Sequence, residues 1–204
     1  WSSDVCSSDL INDEELGPRI IDAMRENLKK RDGGDAMKIA RYSSRRDWVG
    51  KSLAEIAKLE KKDPLEIALE ITRNGGAGIV NFSMSEDDVR YIMQVPWVAT
   101  ASDGRAYLPA ADKPHPRSYG TFARKIGHYS IREKVLSLEQ AIRSSSGLPA
   151  DILGMTDRGY LKAGQAADVV VFSPSEFIDM ATFDQPHQYS RGVQFVFVNG
   201  VATV

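Results

Sequence analysis

The chain has 204 residues, of which 42% are hydrophobic, 26% charged and 8% aromatic, and its formal net charge is -2. This is ordinary globular usage for one good-sized domain, with no basic stripe for nucleic acid and no basic amphipathic helix for a membrane surface. Its single cysteine excludes an internal disulfide framework and a multi-cysteine metal site; no apolar stretch reaches spanning length, no signal-peptide layout opens the chain, and the expected location is cytoplasmic.

The first ten residues, WSSDVCSSDL, match the translation of a sequencing-adapter oligonucleotide and are not preceded by Met. Residues 1–10 are therefore set aside as an apparent leader that includes Cys6, and the natural protein is expected to continue upstream of Ile11. Residues 12–34 then read as a helix. Asp13, Glu14 and Glu15 lead it, Ile21, Met24 and Leu28 follow at helical spacing, and Lys29, Lys30 and Arg31 precede Gly33-Gly34. Residues 37–42 read as a short strand, and Ser52 with Glu55 forms a capping box that opens a second helix. Asp63-Pro64 starts a third helix with Leu65, Ala68, Leu69 and Thr72 on one face, closed by Asn74-Gly75-Gly76.

The apolar run 77–82 reads as a buried strand, Ser85 caps a helix carrying Val89, Ile92 and Met93, and 95–101 reads as a second buried strand ending in Ser102-Asp103-Gly104. Strand, helix, strand with two apolar strands is the grammar of a parallel βα sheet. Residues 105–129 read as a long irregular loop, of the kind that carries function when it follows a strand C-terminus. Ser137 caps a helix with Leu138, Ala141 and Ile142 inward, and Pro149 opens a short helical turn closed by Gly154. From Gly159 the chain reads as β: residues 169–172, then 193–198, then 201–204 after the hairpin signal Asn199-Gly200. The expected fold class is α/β, with residues 11–156 forming the α/β part and residues 157–204 the strands of a small β domain.

Asp103 follows the end of an expected parallel strand, where βα loops assemble active sites in barrels, and Gly104 frees the backbone to turn. Ser-Asp-Gly is equally the sequence of a plain turn in which Asp103 accepts local hydrogen bonds. The three histidines, His115, His128 and His187, show no His-x-His or His-Glu-x-x-His spacing, so the chain carries no recognisable zinc cluster. The stretch Gly75-Gly76-Ala77-Gly78 precedes a strand and reads as a helix cap, without a nucleotide site.

Several segments in order resemble the N-acyl-D-amino-acid deacylases of the amidohydrolase superfamily. They are Lys51 to Ala57 (KSLAEIA), Phe82 to Val89 (FSMSEDDV), Ala101 to Gly104 (ASDG), His115 to Phe122 (HPRSYGTF), Asp157-Arg158-Gly159, Gly164 to Phe172 (GQAADVVVF), Pro186 to Tyr189 (PHQY) and Val198-Asn199-Gly200. The resemblance spans nearly all of residues 11–204. It implies that residues 11–156 are the last portion of a metal-dependent (β/α)8 barrel with an inserted helical segment, and that 157–204 belong to the small β domain beside it.

The resemblance also implies chemistry. The carboxylate at the Asp103 position lies beside zinc, takes a proton from the metal-bound water as it attacks an amide carbonyl, and passes it to the departing amine. Asp103 is thus the implied catalytic residue and the one candidate metal ligand in the chain; the remaining zinc ligands lie upstream of Ile11. Arg117 is implied to hold the substrate's free carboxylate, a task that suits a guanidinium fork. Ser102, Gly104, His115 and Tyr119 are further substrate-binding candidates. Ala123 and the polar run Arg143 to Gly147 depart from the family pattern and bear on fine substrate preference. The implied partner is a small N-acyl amino acid, with no nucleic acid and no membrane. A cyclic-amidase relative acting on hydantoin or dihydropyrimidine rings, and a non-catalytic scaffold, are the competing readings.

Overall fold

Local side-chain chemistry sets the helix starts. In the computed structural model, which describes residues 7–106 and 108–203, Ser52 Oγ accepts the Glu55 N–H at 3.1 Å while Glu55 Oε2 accepts the Ser52 N–H at 2.7 Å, closing the expected capping box. The reading of Cys6 and of residues 1–6 falls outside the described residues. After the helices α1 (Ser7–Ile11) and α2 (Leu16–Lys29) and the strand β1 (Met37–Arg41), the Ser52 cap opens α3 (Leu53–Glu60). Asp63 caps α4 (Pro64–Arg73) in the same reciprocal way with Glu66. The strand β2 (Gly78–Asn81) and helix α5 (Glu86–Met93) follow, the latter capped by Ser85. Apart from α1, which falls largely in the leader set aside in the sequence, each lies where the sequence placed it.

By compactness the chain divides into two units, Trp1–Ser83 with Ala110–Pro114, and Met84–Pro109 with His115–Val204; the boundary expected near Thr156 falls inside the second. In the first unit β1 and β2 pair antiparallel, Lys38 opposite Val80 and Ile39 opposite Ile79, with an irregularity between Ile39 and Arg41. The core gathers Leu28, Ile39, Trp48, Leu53, Ile56, Leu65, Ile67 and Ile71. Trp48 is 1% exposed; its indole N–H donates to Glu60 at 3.2 Å, and the Arg45 guanidinium lies 4.5 Å from the ring centroid. Lys113 from the returning segment donates its N–H to the Ala40 carbonyl at 2.8 Å, covering part of the β1 edge.

Two expectations fail here. The parallel pairing of 77–82 with 95–101 does not form: β2 pairs antiparallel with β1 in a two-stranded sheet, and only Val80 of β2 is buried. Residues 95–101 form no strand, since a strand needs a ladder partner and none of the described residues supplies one. The backbone turns at Pro96-Trp97, Trp97 is exposed, and Thr100 N–H instead reaches the Ser144 carbonyl at 2.7 Å.

The second unit corrects the reading of residues 105–129 as well. Beyond residue 116 they are helical: α6 (Arg117–Ala123) runs into a π-helical segment (Arg124–Arg132). That segment packs closely on the chain near Phe177. Ala123, Ile126, Tyr129, Leu136, Ala141 and Phe177 form the unit's core, with Val89 and Met93 of α5 against it. Arg132 Nη1 clamps the contact by donating to the Gly127 carbonyl at 2.6 Å and the Phe177 carbonyl at 2.7 Å.

Ser137 caps α7 (Leu138–Ser145), which buries Ala141 and Ser144 while Ile142 stays exposed, contrary to its expected inward face. Helix α8 (Gly147–Leu153) ends on left-handed Gly154, as expected, although it begins two residues before Pro149. The strands β3 (Val169–Phe172), β4 (Val193–Val198) and β5 (Val201–Ala202) make an antiparallel sheet in that order. Asn199 and Gly200 both have positive φ, 54° and 78°, as a two-residue hairpin turn requires.

Candidate functional site

Six residues singled out in the sequence lie in the second unit, on the segment Ser102–Gly104 and on α6 with the two residues before it. Arg117 Nη2 meets Asp103 Oδ2 at 2.6 Å, with side-chain exposures of 42% and 84%. An ion pair this open gains little net energy, so either partner is free to exchange it for a better one.

The loop is fitted closely to the helix start. Ser102 Oγ accepts the Gly104 N–H at 3.1 Å, and Ser118 Oγ accepts the Arg105 N–H at 3.3 Å. A side chain at Gly104 would place its Cβ 3.0 Å from Ser118 Cα and 3.2 Å from the Arg117 carbonyl oxygen. Glycine therefore lets the loop approach the backbone of α6, which brings Asp103 within reach of Arg117.

His115 Nδ1 accepts the Arg117 N–H at 3.1 Å, and its ring stands edge-on to Phe183 with centroids 5.0 Å apart. Burial, helped by the Arg117 charge and opposed by Asp103, holds its pKa below the ordinary histidine value. Nδ1 must keep its lone pair to accept that bond, so the neutral ring is the form the geometry uses.

Tyr119 faces a different set of partners. Its hydroxyl is hydrogen-bonded to His187 Nδ1 at 2.9 Å, the two rings are perpendicular, and Tyr189 packs edge-on at 5.8 Å. Ser190 Oγ donates to the Tyr119 carbonyl at 3.3 Å. The structure thus joins Asp103, Arg117, Ser102, Gly104 and His115 in one linked set, and gives Tyr119 a second set with His187 and Tyr189. Sequence reasoning missed Ser118, Phe183, His187 and Tyr189 as neighbours. The signal for the last two was the Pro186-His187-Gln188-Tyr189 motif.

Chemically, the arrangement offers a solvent-open carboxylate beside a guanidinium: one group to carry a proton and one to hold an anion. Among the described residues no three His, Cys, Asp or Glu side chains gather to hold a metal ion. The chain's described residues therefore do not by themselves fit a zinc centre, which needs three or four such ligands. No helix of the described residues is long and apolar enough to cross a membrane.

Comparison with known proteins places these features. An N-acyl-D-glutamate deacylase of Alcaligenes xylosoxydans xylosoxydans is 41% identical over 153 residues, covering 75% of this chain and 30% of that protein. A D-aminoacylase of the same organism is 38% identical over 151 residues, covering 74% and 30%. The crystal structure of a D-aminoacylase matches with a TM-score of 0.73 at 36% identity, covering 81% of this chain and 34% of that one. The structure of N-acyl-D-glutamate deacylase from Bordetella bronchiseptica, complexed with zinc and a phosphonate inhibitor that mimics the tetrahedral intermediate, matches with a TM-score of 0.75 at 32% identity, covering 91% and 42%. The chain spans about 30% of the length of the curated relatives it matches. Its α/β fold class is the one expected, that of part of an amidohydrolase barrel with small sheets. The model of the amidohydrolase family matches residues 9–204, and the chain belongs to that family.

Proposed function

We propose that this chain is the C-terminal part of a zinc-dependent enzyme that hydrolyses the amide bond of N-acyl-D-amino acids. Residues 11–156 would contribute the end of the barrel and 157–204 strands of the small β domain. The observation that carries this reading is the contact of Asp103 with Arg117 in a chain 41% identical to an N-acyl-D-glutamate deacylase. Zinc, on this reading, is held by parts of the enzyme outside this chain, with Asp103 as the one contribution from the residues described.

Asp103 acts as the proton carrier. Its carboxylate accepts a proton from the attacking water as the carbon–oxygen bond forms, then returns it to the nitrogen as the carbon–nitrogen bond breaks, leaving a carboxylic acid and a free amine. Arg117 binds the substrate's α-carboxylate. Because its pair with Asp103 is weak and exposed, an incoming carboxylate competes for the guanidinium and frees Asp103 for the water. Ser102 and Gly104 fix the loop, His115 holds the backbone N–H of Arg117 at the helix start, and Tyr119 with His187 walls the neighbouring side. The enzyme's partner would be a small N-acyl amino acid, with no nucleic acid and no membrane, and its location the cytoplasm.

The test is made in the full-length enzyme, after recovery of the coding sequence upstream of Ile11. Asp103→Asn is expected to abolish turnover of N-acetyl-D-glutamate with the fold intact. Arg117→Ala should raise KM for that substrate about 10- to 100-fold, the loss of a charge-assisted hydrogen-bonded pair. It should leave a ring amide lacking a carboxylate unaffected. Parental kcat in Asp103→Asn sinks the assignment of the proton carrier, and equal losses on both substrates sink the carboxylate anchor.

A further inference from the structure

Lys125 is the one buried charged residue among the described residues, and the chemistry above does not use it. It sits on the π-helical segment, 6% exposed. Its Nζ donates to Thr100 Oγ1 and, at 2.7 Å, to Ser144 Oγ. Ser144 Oγ gives its own proton to the Gln140 carbonyl at 2.6 Å, so toward Lys125 it is an acceptor. No carboxylate among the described residues lies within ion-pair reach, and burial pushes the lysine pKa down.

A buried amine without a counter-charge is a poor device for stability. Its desolvation is costly, and an apolar side chain of the same volume is commonly as stable or better. The arrangement does secure something else. Thr100 is tied three times, at its side chain by Lys125 and, at 3.4 Å, by Ser145 Oγ, and through its own N–H by the Ser144 carbonyl at 2.7 Å. It belongs to the stretch that no strand supports, and it precedes Asp103 by three residues, a reach of at most about 10 Å of chain. Downstream the same loop is tied again, where the Arg105 N–H meets Ser118 Oγ. The Asp103 side chain, 84% exposed, is held by little besides Arg117, so its place depends on these backbone anchors.

We propose that Lys125 is a positioning residue for Asp103, pinning the Thr100–Asp103 segment through its bonds to Thr100 and Ser144. This rests on the reading of Asp103 as the proton carrier. A displacement of about 1 Å at a reacting group costs on the order of 100-fold in rate. Lys125→Met in the full-length enzyme is therefore expected to lower kcat on N-acetyl-D-glutamate about 100-fold, with KM changed less than about threefold and Tm within about 2 °C of the parent. Thr100→Val removes the acceptor at nearly constant volume and should give the same split, which keeps the test decisive if Lys125→Met does not fold. The double variant should be no worse than the worse single, because both changes break one link. Parental kcat in the single variants overturns the proposal, as do losses that add or that track a falling Tm. Asp103→Asn separates the two ideas: if it is inactive while Lys125→Met is parental, the positioning role alone fails, and if it is active, the underlying assignment fails.

Discussion

Gly127→Ala tests the packing that carries both α6 and Lys125. A Cβ at Gly127 would sit 2.1 Å from the Phe177 carbonyl oxygen, 2.9 Å from its carbon and 3.1 Å from Ile178 Cα, all backbone atoms. Comfortable contact lies near 3.5 Å, so the π-helical segment and the Phe177 chain would have to part by on the order of 1 Å. Such overpacking costs about 1–3 kcal/mol. Arg132 Nη1 bridges the carbonyls of Gly127 and Phe177, at 2.6 and 2.7 Å, and a widened gap would lose one of these bonds. For a partly exposed guanidinium that adds about 1 kcal/mol. A total near 3 kcal/mol, with an m value of about 1–3 kcal/mol/M, lowers the urea midpoint by about 1–3 M. The assay is urea unfolding followed by circular dichroism in the full-length enzyme. Gly164→Ala is the control: its backbone is left-handed, φ 85°, but no atom lies within 4 Å, so about 1–2 kcal/mol of backbone strain is all it should lose. A Gly127→Ala midpoint within about 0.2 M of the parent would refute the steric reasoning.

Two further measurements follow from the local chemistry. Ser52, fully buried, accepts the Glu55 N–H and donates to Asp35 Oδ1 at 2.8 Å, so Ser52→Ala should cost about 1–2 kcal/mol by the same urea assay, and a loss under about 0.3 kcal/mol contradicts the capping account. His115 has a native pKa below its unfolded value of about 6.5, so the unfolded chain binds its proton first; the ring's contribution to stability is complete above about 6.5 and is lost as pH falls through the lowered native value. Imidazole titration by proton NMR should find His115 below 6.5, and His115→Asn, which keeps an acceptor for the Arg117 N–H, should remove that pH dependence. A titration at or above 6.5 rejects the burial argument.

What the sequence disclosed was whatever depends on neighbours a few residues apart. The caps at Ser52, Asp63, Ser85 and Ser137 and the Asn199-Gly200 hairpin are closed within three or four residues, and all stand where they were read. Strand pairing is a long-range choice, and the apolar run 95–101 looks the same in sequence whether or not a partner lies beside it. The helical stretch 117–132 was hidden for another reason. Gly120 and Gly127 are loop signals by composition, yet here they serve close packing: a Cβ at Gly120 would come 2.8 Å from Asp179 Cβ, as one at Gly127 would meet Phe177. Neither partner can be inferred from spacing. Within the candidate site, Asp103 was legible as a carboxylate in a Ser-Asp-Gly turn, whereas its pairing with Arg117, fourteen residues away and on a helix start, needed coordinates.

The backbone at Asp103 has φ 46°, in the left-handed region that few side chains enter. Glycine, asparagine and aspartate are the residues that occupy it readily, and among them only aspartate carries an acid. The alphabet at this position is thus narrowed twice, once by conformation and once by chemistry, and the two filters intersect at a single letter. Glutamate, acceptable as an acid, is disfavoured by the turn and would carry its carboxyl one methylene farther from the loop. A saturation library at position 103 should therefore divide into three classes: folded and active with aspartate, folded and silent with asparagine or glycine, and disturbed in the loop itself with valine, isoleucine or threonine.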